Sequence, residues 1–98
     1  MAAKFEDSKK YALNKSQLLD KVKMVIEKCN FEIKSFDKDL GLIQAKTKIS
    51  LWSWSENIEV RIQDDGHVKV KSECSLPSQF IDWGKNKRNV KQIFESLA

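Results

Sequence analysis

Four successive segments of the chain alternate apolar and polar residues, and this alternation restricts the fold more than any other feature. Successive side chains of a β-strand point to opposite faces, so each segment would present one apolar face and one polar face. Turn-forming residues separate the segments at 37–41 ("DKDLG") and at 64–66 ("DDG"), and the second is typical of a hairpin. The sequence therefore predicts an antiparallel meander that is apolar on one side only.

The alternation also assigns each side chain of the meander to a face. The inner, apolar face is expected to carry Phe31, Ile33 and Ser35, then Ile43, Ala45, Thr47, Ile49 and Leu51, then Ile58, Val60 and Ile62, and finally Val68, Val70, Ser72, Cys74 and Leu76. The outer face is expected to carry Lys34, Lys46, Lys48, Arg61, Lys69 and Lys71 with Glu32, Glu59 and Glu73. Cross-strand pairs of Lys with Glu explain most of this outer pattern without a ligand.

A helix is predicted before the meander, over about residues 14–29. Asn14 can act as its N-cap and Gln17, three residues later, can complete a capping box. Apolar residues then recur at helical spacing on one face. Asn30 suits the left-handed conformation that ends many helices.

A second helix is predicted after Pro77, which cannot donate to a strand ladder. Asp82 is its expected N-cap, with Ser78 as an earlier alternative. Four apolar residues follow at helical spacing: Val90, Ile93, Phe94 and Leu97. Each helix thus has one apolar stripe that must pack against another apolar surface.

The sheet offers one apolar face, so both helices should pack on it in a two-layer α+β fold. We expect a single domain over residues 1–98, with an antiparallel meander of four strands. A fifth strand at residues 9–13 ("KKYAL") is an open alternative at the sheet edge and gives the order (β)-α-β-β-β-β-α. Residues 1–8 are expected to be flexible.

Composition narrows the functional classes. The chain has 98 residues, a net charge of +4 and 41% hydrophobic residues, as in an ordinary globular domain rather than a disordered chain. No stretch is apolar enough for a membrane span and no signal region is present, so a cytoplasmic location is expected. Cys29, Cys74 and the single histidine, His67, match no metal-site or catalytic pattern. We therefore expect no cofactor, no metal and no enzymatic activity, with both cysteines buried and reduced.

Trp52 and Trp54 stand close together in "ISLWSWSENIEV", where the second strand turns into the third. Trp54 shares the even parity of Ile58 and can extend the inner face, whereas Trp52 falls in the reversal. One interpretation is that both rings cap the open end of the core. The other is an aromatic platform for a ligand, because tryptophan is favoured in ligand and partner contacts.

The start of the last helix, in "IDWGKNKRNV", is also unusual. Gly84 is expected in the first helical turn, where it would indicate close backbone approach or an exposed amide end. Asn86 lies on the apolar stripe that continues to Val90, and an inward asparagine must find hydrogen-bond partners.

Two interpretations of this helix start remain open. In the first, Asp82 caps the helix, Trp83 packs against the sheet and Asn86 bonds backbone groups of the preceding loop as a buried clamp. In the second, the helix N-terminal amides hold an anion. Three basic side chains would assist them: Lys85, Lys87 and Arg88.

Asp82, Gly84 and Asn86 form an Asp-x-Gly-x-Asn stretch, preceded by "VKSECSLPSQ". This arrangement resembles the signature that opens the last helix in an uncharacterised bacterial family of domains of unknown function. The similarity covers about residues 14–98. The resemblance implies the helix–meander–helix order but no activity, because none is established for that family.

The expected function is that of a small, non-enzymatic binding or accessory domain for a small molecule or a protein partner. Its groove would lie between the helix layer and the sheet end, with candidate contacts Trp52, Trp54, Asp82, Trp83, Lys85, Asn86 and Arg88. The alternative is binding of nucleic acid or anionic lipid through the basic outer face. Nucleic acid is disfavoured because that face carries no aromatic residue on which bases could stack. Nothing in the pattern specifies an oligomeric state.

Overall fold

The computed structural model describes residues 4–47, 56–74 and 84–97. The elements are, in order, β1 (Lys4–Lys10), α1 (Lys15–Lys28), β2 (Glu32–Asp37), β3 (Leu42–Lys46), β4 (Glu56–Ile62), β5 (His67–Cys74) and α2 (Lys85–Leu97). The strands form one sheet in the order β1-β5-β4-β3-β2, and all neighbouring strands are antiparallel. Both helices contribute to one core with the inner face of the sheet. The predicted α+β arrangement is therefore confirmed, with five strands.

The fifth strand is present, but its bounds differ from the predicted ones. β1 covers residues 4–10 rather than 9–13, so residues 4–8, which were expected to be flexible, belong to the sheet. All seven residues of β1 have antiparallel partners in β5. Its sequence "KFEDSKK" contains one apolar side chain, so hydrophobic alternation could not reveal a strand held mainly by backbone pairing.

Helix α1 begins and ends as predicted. Asn14 Oδ1 accepts a hydrogen bond from the Gln17 backbone N–H (2.8 Å), and Gln17 Oε1 accepts one from the Asn14 N–H (3.2 Å), which completes the capping box. Asn30 follows the helix with a φ of +67°, a left-handed conformation that asparagine tolerates well. The apolar stripe of α1 faces the sheet, where Leu18 and Val22 are fully buried.

Strand β2 contains a β-bulge that changes which side chains face the core. Its pairing with β3 shifts register between Ile33 and Ser35. Ile33 and Phe36 pack against the core, whereas Ser35 is exposed and its hydroxyl donates to Gln44 Oε1 (3.0 Å). The prediction that Ser35 faces inward is wrong, because the extra residue of a bulge reverses the parity of every residue after it.

The core lies between the two helices and the inner face of the sheet. The predicted inward residues of β3, β4 and β5 are buried wherever they are described, except for half-buried Thr47. Ile49, Leu51 and Leu76 lie outside the described residues. The helices add Leu18, Leu19, Val22, Val25, Ile26, Val90, Ile93, Phe94 and Leu97. Full burial of an aliphatic side chain stabilises a fold by about 1.5–3 kcal/mol, so this layer is the main favourable contribution to folding.

The β4–β5 hairpin turns at the predicted "DDG" segment. Gly66 has a φ of +94°, and a Cβ at this position would collide with the backbone oxygen of Tyr11. The Tyr11 N–H donates to the Gly66 carbonyl oxygen (2.9 Å), which ties the end of β1 to the turn. Glycine is therefore required both by the backbone conformation and by the close approach of β1.

The two cysteines occupy different environments. Cys74 is buried on the inner face of β5, as predicted, whereas Cys29 is half-buried rather than buried. The difference arises because Cys29 is the C-cap of α1, at the margin of the apolar stripe. Burial raises the pKa of the Cys29 thiol, although a hydrogen bond with Ser96 and the charge of Lys28 act in the opposite direction.

Candidate functional site at the end of the sheet

Three strands meet at the end of the sheet where the chain leaves β3 and β5 and enters β4. Thr47 and Glu56 join β3 to β4 by two hydrogen bonds. The Thr47 N–H donates to the Glu56 carbonyl oxygen (3.0 Å), and the Glu56 N–H donates to Thr47 Oγ1 (2.7 Å). Glu56 also lies opposite Cys74, the last residue of β5.

Part of the predicted site lies outside the described residues. The residues concerned are Trp52, Trp54, Asp82 and Trp83, together with the side chain of Lys85. The two interpretations of the tryptophans therefore stay predictions. The predicted N-cap at Asp82 does not, because α2 begins at Lys85 and Gly84 occupies the N-cap position. One of the segments involved joins β3 to β4 and the other joins β5 to α2, so both are attached to elements that meet at this sheet end.

Helix α2 begins later than the sequence suggests. Gly84 precedes the helix, with a φ of +77°, instead of lying in its first turn. Its carbonyl oxygen accepts the first helical hydrogen bond, from the Arg88 N–H (3.0 Å). Within the described part of the chain, a Cβ on Gly84 would meet no atom within 4 Å, so no described backbone approaches closely enough to require a glycine. The left-handed conformation is the reason, since it carries little penalty without a Cβ.

Asn86, the second residue of α2, is completely buried, as the apolar stripe predicts. Its Oδ1 accepts a hydrogen bond from the Ser72 hydroxyl (2.8 Å), and its Nδ2 donates to the Cys74 Sγ at 3.5 Å. These partners are side chains of β5, and the predicted bonds to backbone groups of the preceding loop involve residues outside the described part of the chain. Ser72 and Cys74 are two residues apart, so both face the helix layer.

Asn89, which the sequence analysis did not single out, extends this network across the sheet. It lies three residues after Asn86 and donates through Nδ2 to Ser72 Oγ (3.2 Å) and to Glu56 Oε1 (3.1 Å). Asn89, Ser72 and Glu56 are all buried. We refer to Glu56, Ser72, Cys74, Asn86 and Asn89 together as the polar cluster.

Two sequence signals could have identified the missed members of the polar cluster. Asn89 stands three residues after Asn86, so both amides fall on the same helical stripe. Glu56 shares the even parity of Ile58, which assigns it to the inner face of β4.

The Glu56 carboxylate is the most unusual group in the polar cluster. Its residue is only 5% exposed, and its described side-chain partner is the Asn89 amide. Within the described part of the chain, no lysine or arginine forms an ion pair with it. A carboxylate taken out of water without a cation is costly unless hydrogen bonds compensate.

The described basic residues of the predicted anion site do not join the polar cluster. Arg88 is exposed, and Lys87 lines a groove beside β1. Both lie on faces of α2 other than the buried face that carries Asn86. The structure therefore separates Arg88 from Asn86, which the sequence analysis had grouped.

Basic residues on the outer face of the sheet are largely paired with acidic neighbours. Lys71 Nζ lies 3.2 Å and Arg61 Nε 2.9 Å from the Glu59 carboxylate, and Lys69 Nζ lies 3.3 Å from that of Glu6. Burial acts to raise the pKa of Glu59, but the hydrogen bonds and charges of Arg61 and Lys71 outweigh it and hold the pKa below its usual value. These pairs neutralise much of the positive charge that a phosphate backbone would need.

The described part of the chain, residues 4–47, 56–74 and 84–97, contains neither a helix that could span a membrane nor a group of side chains that could hold a metal ion. None of its helices is long and apolar enough to cross a membrane. No group of three or more histidine, cysteine, aspartate or glutamate side chains in this part is placed to hold a metal ion.

Comparison with known proteins does not assign the chain to a family. No protein-family model matches it, and no curated protein matches it.

Proposed function

We propose that the protein is a small, non-enzymatic binding or accessory domain whose ligand or protein partner contacts the sheet end beside the polar cluster. The observation that carries the proposal is the buried Glu56 carboxylate, which has one described side-chain hydrogen bond and no described cationic partner. An ionised carboxylate has about four acceptor positions. A ligand with N–H donors, such as an amine or an amide, would satisfy the remaining positions.

The polar cluster interrupts an otherwise apolar interface between α2 and the sheet. Elsewhere α2 buries aliphatic and aromatic side chains such as Val90, Ile93 and Phe94. Well-packed apolar residues in place of a buried polar group are often neutral or stabilising. Polar residues at this end therefore favour a role in recognition in addition to a role in packing.

The tryptophans enter this proposal as predicted contacts. Trp52, Trp54 and Trp83 all belong to segments that join elements at this sheet end. An indole ring supplies a large apolar surface and one N–H donor, which suits a ligand with both apolar and polar parts. Asp82 and Lys85 are proposed as outer contacts at the same sheet end, whereas Arg88, on another face of α2, is not.

In this proposal, Asn86 and Asn89 hold the other groups of the polar cluster in position. The hydrogen bonds of Asn86 with Ser72 and Cys74 hold the start of α2 against β5. Asn89, one turn further along, holds the Glu56 carboxylate. These amides would keep the acceptor in place before a ligand arrives, which lowers the entropic cost of binding.

We also propose that the chain acts in the cytoplasm and belongs to the bacterial family whose Asp-x-Gly-x-Asn signature it resembles. Two positions of the signature have structural roles that support this proposal. Gly84 supplies a left-handed residue before α2, and Asn86 supplies a buried hydrogen bond. Either role would be lost with most other residues.

Tryptophan fluorescence tests the proposed function. We expect quenching by small amines or by peptides rich in amide donors. The affinity should change little with ionic strength, since partly buried contacts are weakly screened. Oligonucleotides and anionic vesicles serve as the contrasting probes. Binding of these probes that falls steeply with salt would contradict the proposal and favour the outer sheet face.

A pair of variants on β4 sharpens this test. Glu56→Gln keeps the shape of the side chain but removes its charge, so binding should weaken about tenfold, equivalent to ~1.4 kcal/mol. Glu59→Gln makes the same chemical change on the outer face of the same strand and should leave the affinity unchanged. Equal effects of the two changes, or no effect of Glu56→Gln, would exclude Glu56 as a ligand contact.

A further inference from the structure

Strand β1 has an open edge. It stands first in the sheet order and pairs with β5 on one side, and no other described strand pairs with it. The Tyr11 N–H donates to the Gly66 carbonyl oxygen, which continues the hydrogen bonding between β1 and β5. Backbone groups alternate in direction along a strand, so those of the odd-numbered residues of β1 point towards β5 and those of the even-numbered residues point towards the open edge. In agreement, the Ser8 N–H bonds to the Asp7 side chain (2.8 Å) instead of to β5.

The side chains of β1 are complementary to those of a second β1 strand in the reverse direction. Glu6 and Asp7 precede Ser8, and Lys9 and Lys10 follow it. An antiparallel pair centred on Ser8 places Glu6 opposite Lys10 of a second copy and Asp7 opposite its Lys9, each twice by symmetry. The residues that exchange backbone hydrogen bonds in this register are Glu6, Ser8 and Lys10, whose backbone groups face the open edge.

Neighbouring registers lack this complementarity. A pair centred on Asp7 sets Asp7 opposite Asp7 and Lys4 opposite Lys10, and a pair centred on Lys9 sets Lys9 opposite Lys9. Like charges directly opposite each other destabilise a strand pair. The register centred on Ser8 is the one among these three that joins acids to bases.

The same register continues into apolar contacts on the helix side of the sheet. Phe5 would lie opposite Tyr11 of the second copy, and both residues are half-buried in the single chain. Beside them lies a groove of about 310 Å³ whose described walls come from β1 and α2, including Val90 and Phe94. Lys9 Nζ lies over this groove, 5.2 Å from the centre of the Phe94 ring. A second copy at the open edge would cover the parts of Phe5 and Tyr11 that the single chain leaves accessible.

We propose that the protein forms a symmetric dimer through antiparallel pairing of β1 with β1 of a second copy, about a two-fold axis at Ser8. The two sheets join into one continuous sheet of ten strands, with all helices on the same side. Opposite residues in this register are both odd or both even, which is the condition for the two apolar faces to coincide.

The mass of the full chain in solution, measured by analytical ultracentrifugation, tests the dimer. The wild type should sediment as a dimer. Two charge-reversed forms test the register: Glu6→Lys with Asp7→Lys, and Lys9→Glu with Lys10→Glu. Each should be monomeric, because positions 6, 7, 9 and 10, which lie opposite one another in this register, then all carry the same sign of charge. An equimolar mixture of the two forms should dimerise again, because every opposite pair is then an acid with a base. Circular dichroism verifies that each form is folded.

A matched control distinguishes the effect of charges placed opposite each other in β1 from the effect of the change in net charge. Asp20→Lys with Glu27→Lys changes the net charge as the first reversed form does, on exposed positions of α1, and should remain dimeric. A monomeric wild type at millimolar concentration would overturn the proposal. So would a dimer that both reversed forms preserve, or a mixture of the two forms that stays monomeric.

Discussion

At the scale of single residues, Asn86 joins the last helix to the sheet by side-chain hydrogen bonds. Replacement by alanine would leave the Ser72 hydroxyl with one fewer partner in a buried site. We expect Asn86→Ala to lower the free energy of unfolding by about 1–3 kcal/mol. Asn86→Asp should lower it further, since it loses the donor to Cys74 and adds a buried charge to a cluster that already holds Glu56. Urea denaturation measures both changes.

Gln92 provides the control for Asn86, because it is an exposed amide on the same helix. Gln92→Ala should change the free energy of unfolding by less than about 0.5 kcal/mol. An unchanged stability of Asn86→Ala would contradict the structural role and leave the start of α2 as the best candidate contact with a ligand.

The thiols make a second prediction at this scale. Cys74 is buried, so it should react with a thiol reagent much more slowly than a free cysteine at neutral pH. Cys29 is half-buried and its raised pKa reduces the reactive thiolate, so it should react at an intermediate rate. Variants Cys29→Ser and Cys74→Ser separate the two rates. Fast reaction of Cys74 in the folded protein would show that the sheet end is open to solvent.

Residue-scale prediction succeeded where one periodicity was sufficient. The stripe of α2 alone places Asn86 in the interior. Its partners could not be found in this way, because Ser72 and Cys74 become neighbours of α2 only when the helix packs across β5. The same holds for Glu56, whose contact with Asn89 joins residues 33 positions apart.

At the scale of elements, the sequence predicted features that depend on neighbouring residues, but it did not predict features that depend on how one strand pairs with another. The capping box of α1 involves residues three positions apart, so the sequence specifies it directly. The bulge of β2 depends on its pairing with β3, which no local pattern records. Phe36 therefore takes the inward position that alternation had assigned to Ser35.

The bulge can be tested by two alanine variants of β2. Phe36→Ala should lower the free energy of unfolding by about 1–3 kcal/mol, below the ~3–5 kcal/mol of a fully buried phenylalanine, because Phe36 is half-buried. Ser35→Ala removes one exposed hydrogen bond and should cost less than about 0.5 kcal/mol. Chemical denaturation compares the two. A larger loss of stability from Ser35→Ala than from Phe36→Ala would indicate that β2 has no bulge and that Ser35 faces the core.

The outer face of β4 makes a prediction about pH. The lowered pKa of Glu59 means that its ionised form is favoured in the folded state by Arg61 and Lys71. This stabilisation is complete above the unfolded-state pKa, near 4.3, and is lost as the pH falls through the lower folded-state value. Wild type should therefore exceed Glu59→Gln in stability at pH 7, by at most about 1 kcal/mol, and the difference should shrink at pH 3. A difference that grows towards acid pH would contradict the assigned ion pairs.

At the scale of the whole molecule, the α+β arrangement followed from two periodicities and the single apolar face of the sheet. Strand β1 shows where this reasoning stops. Its charged residues do not alternate with apolar residues. Its place beside β5 follows from the continuous backbone pairing of the two strands and from the hydrogen bond between Tyr11 and Gly66 in the turn. The sequence placed the candidate groove at the sheet end from Trp52, Trp54, Trp83 and Asp82, which lie outside the described residues, and alternation alone did not single out the Glu56 carboxylate.

Amide chemical-shift mapping of the full chain tests the central claim, that ligands contact the sheet end at the polar cluster. A panel of small amines, amide-rich peptides, anionic lipid and an oligonucleotide covers both candidate surfaces. The bound member should shift amides at Thr47, Glu56, Cys74 and the first turn of α2, and in Glu56→Gln about tenfold more of it should be needed to produce the same shifts. Shifts confined to Arg61, Lys69 and Lys71 on the outer face, with the sheet end unchanged, would contradict it.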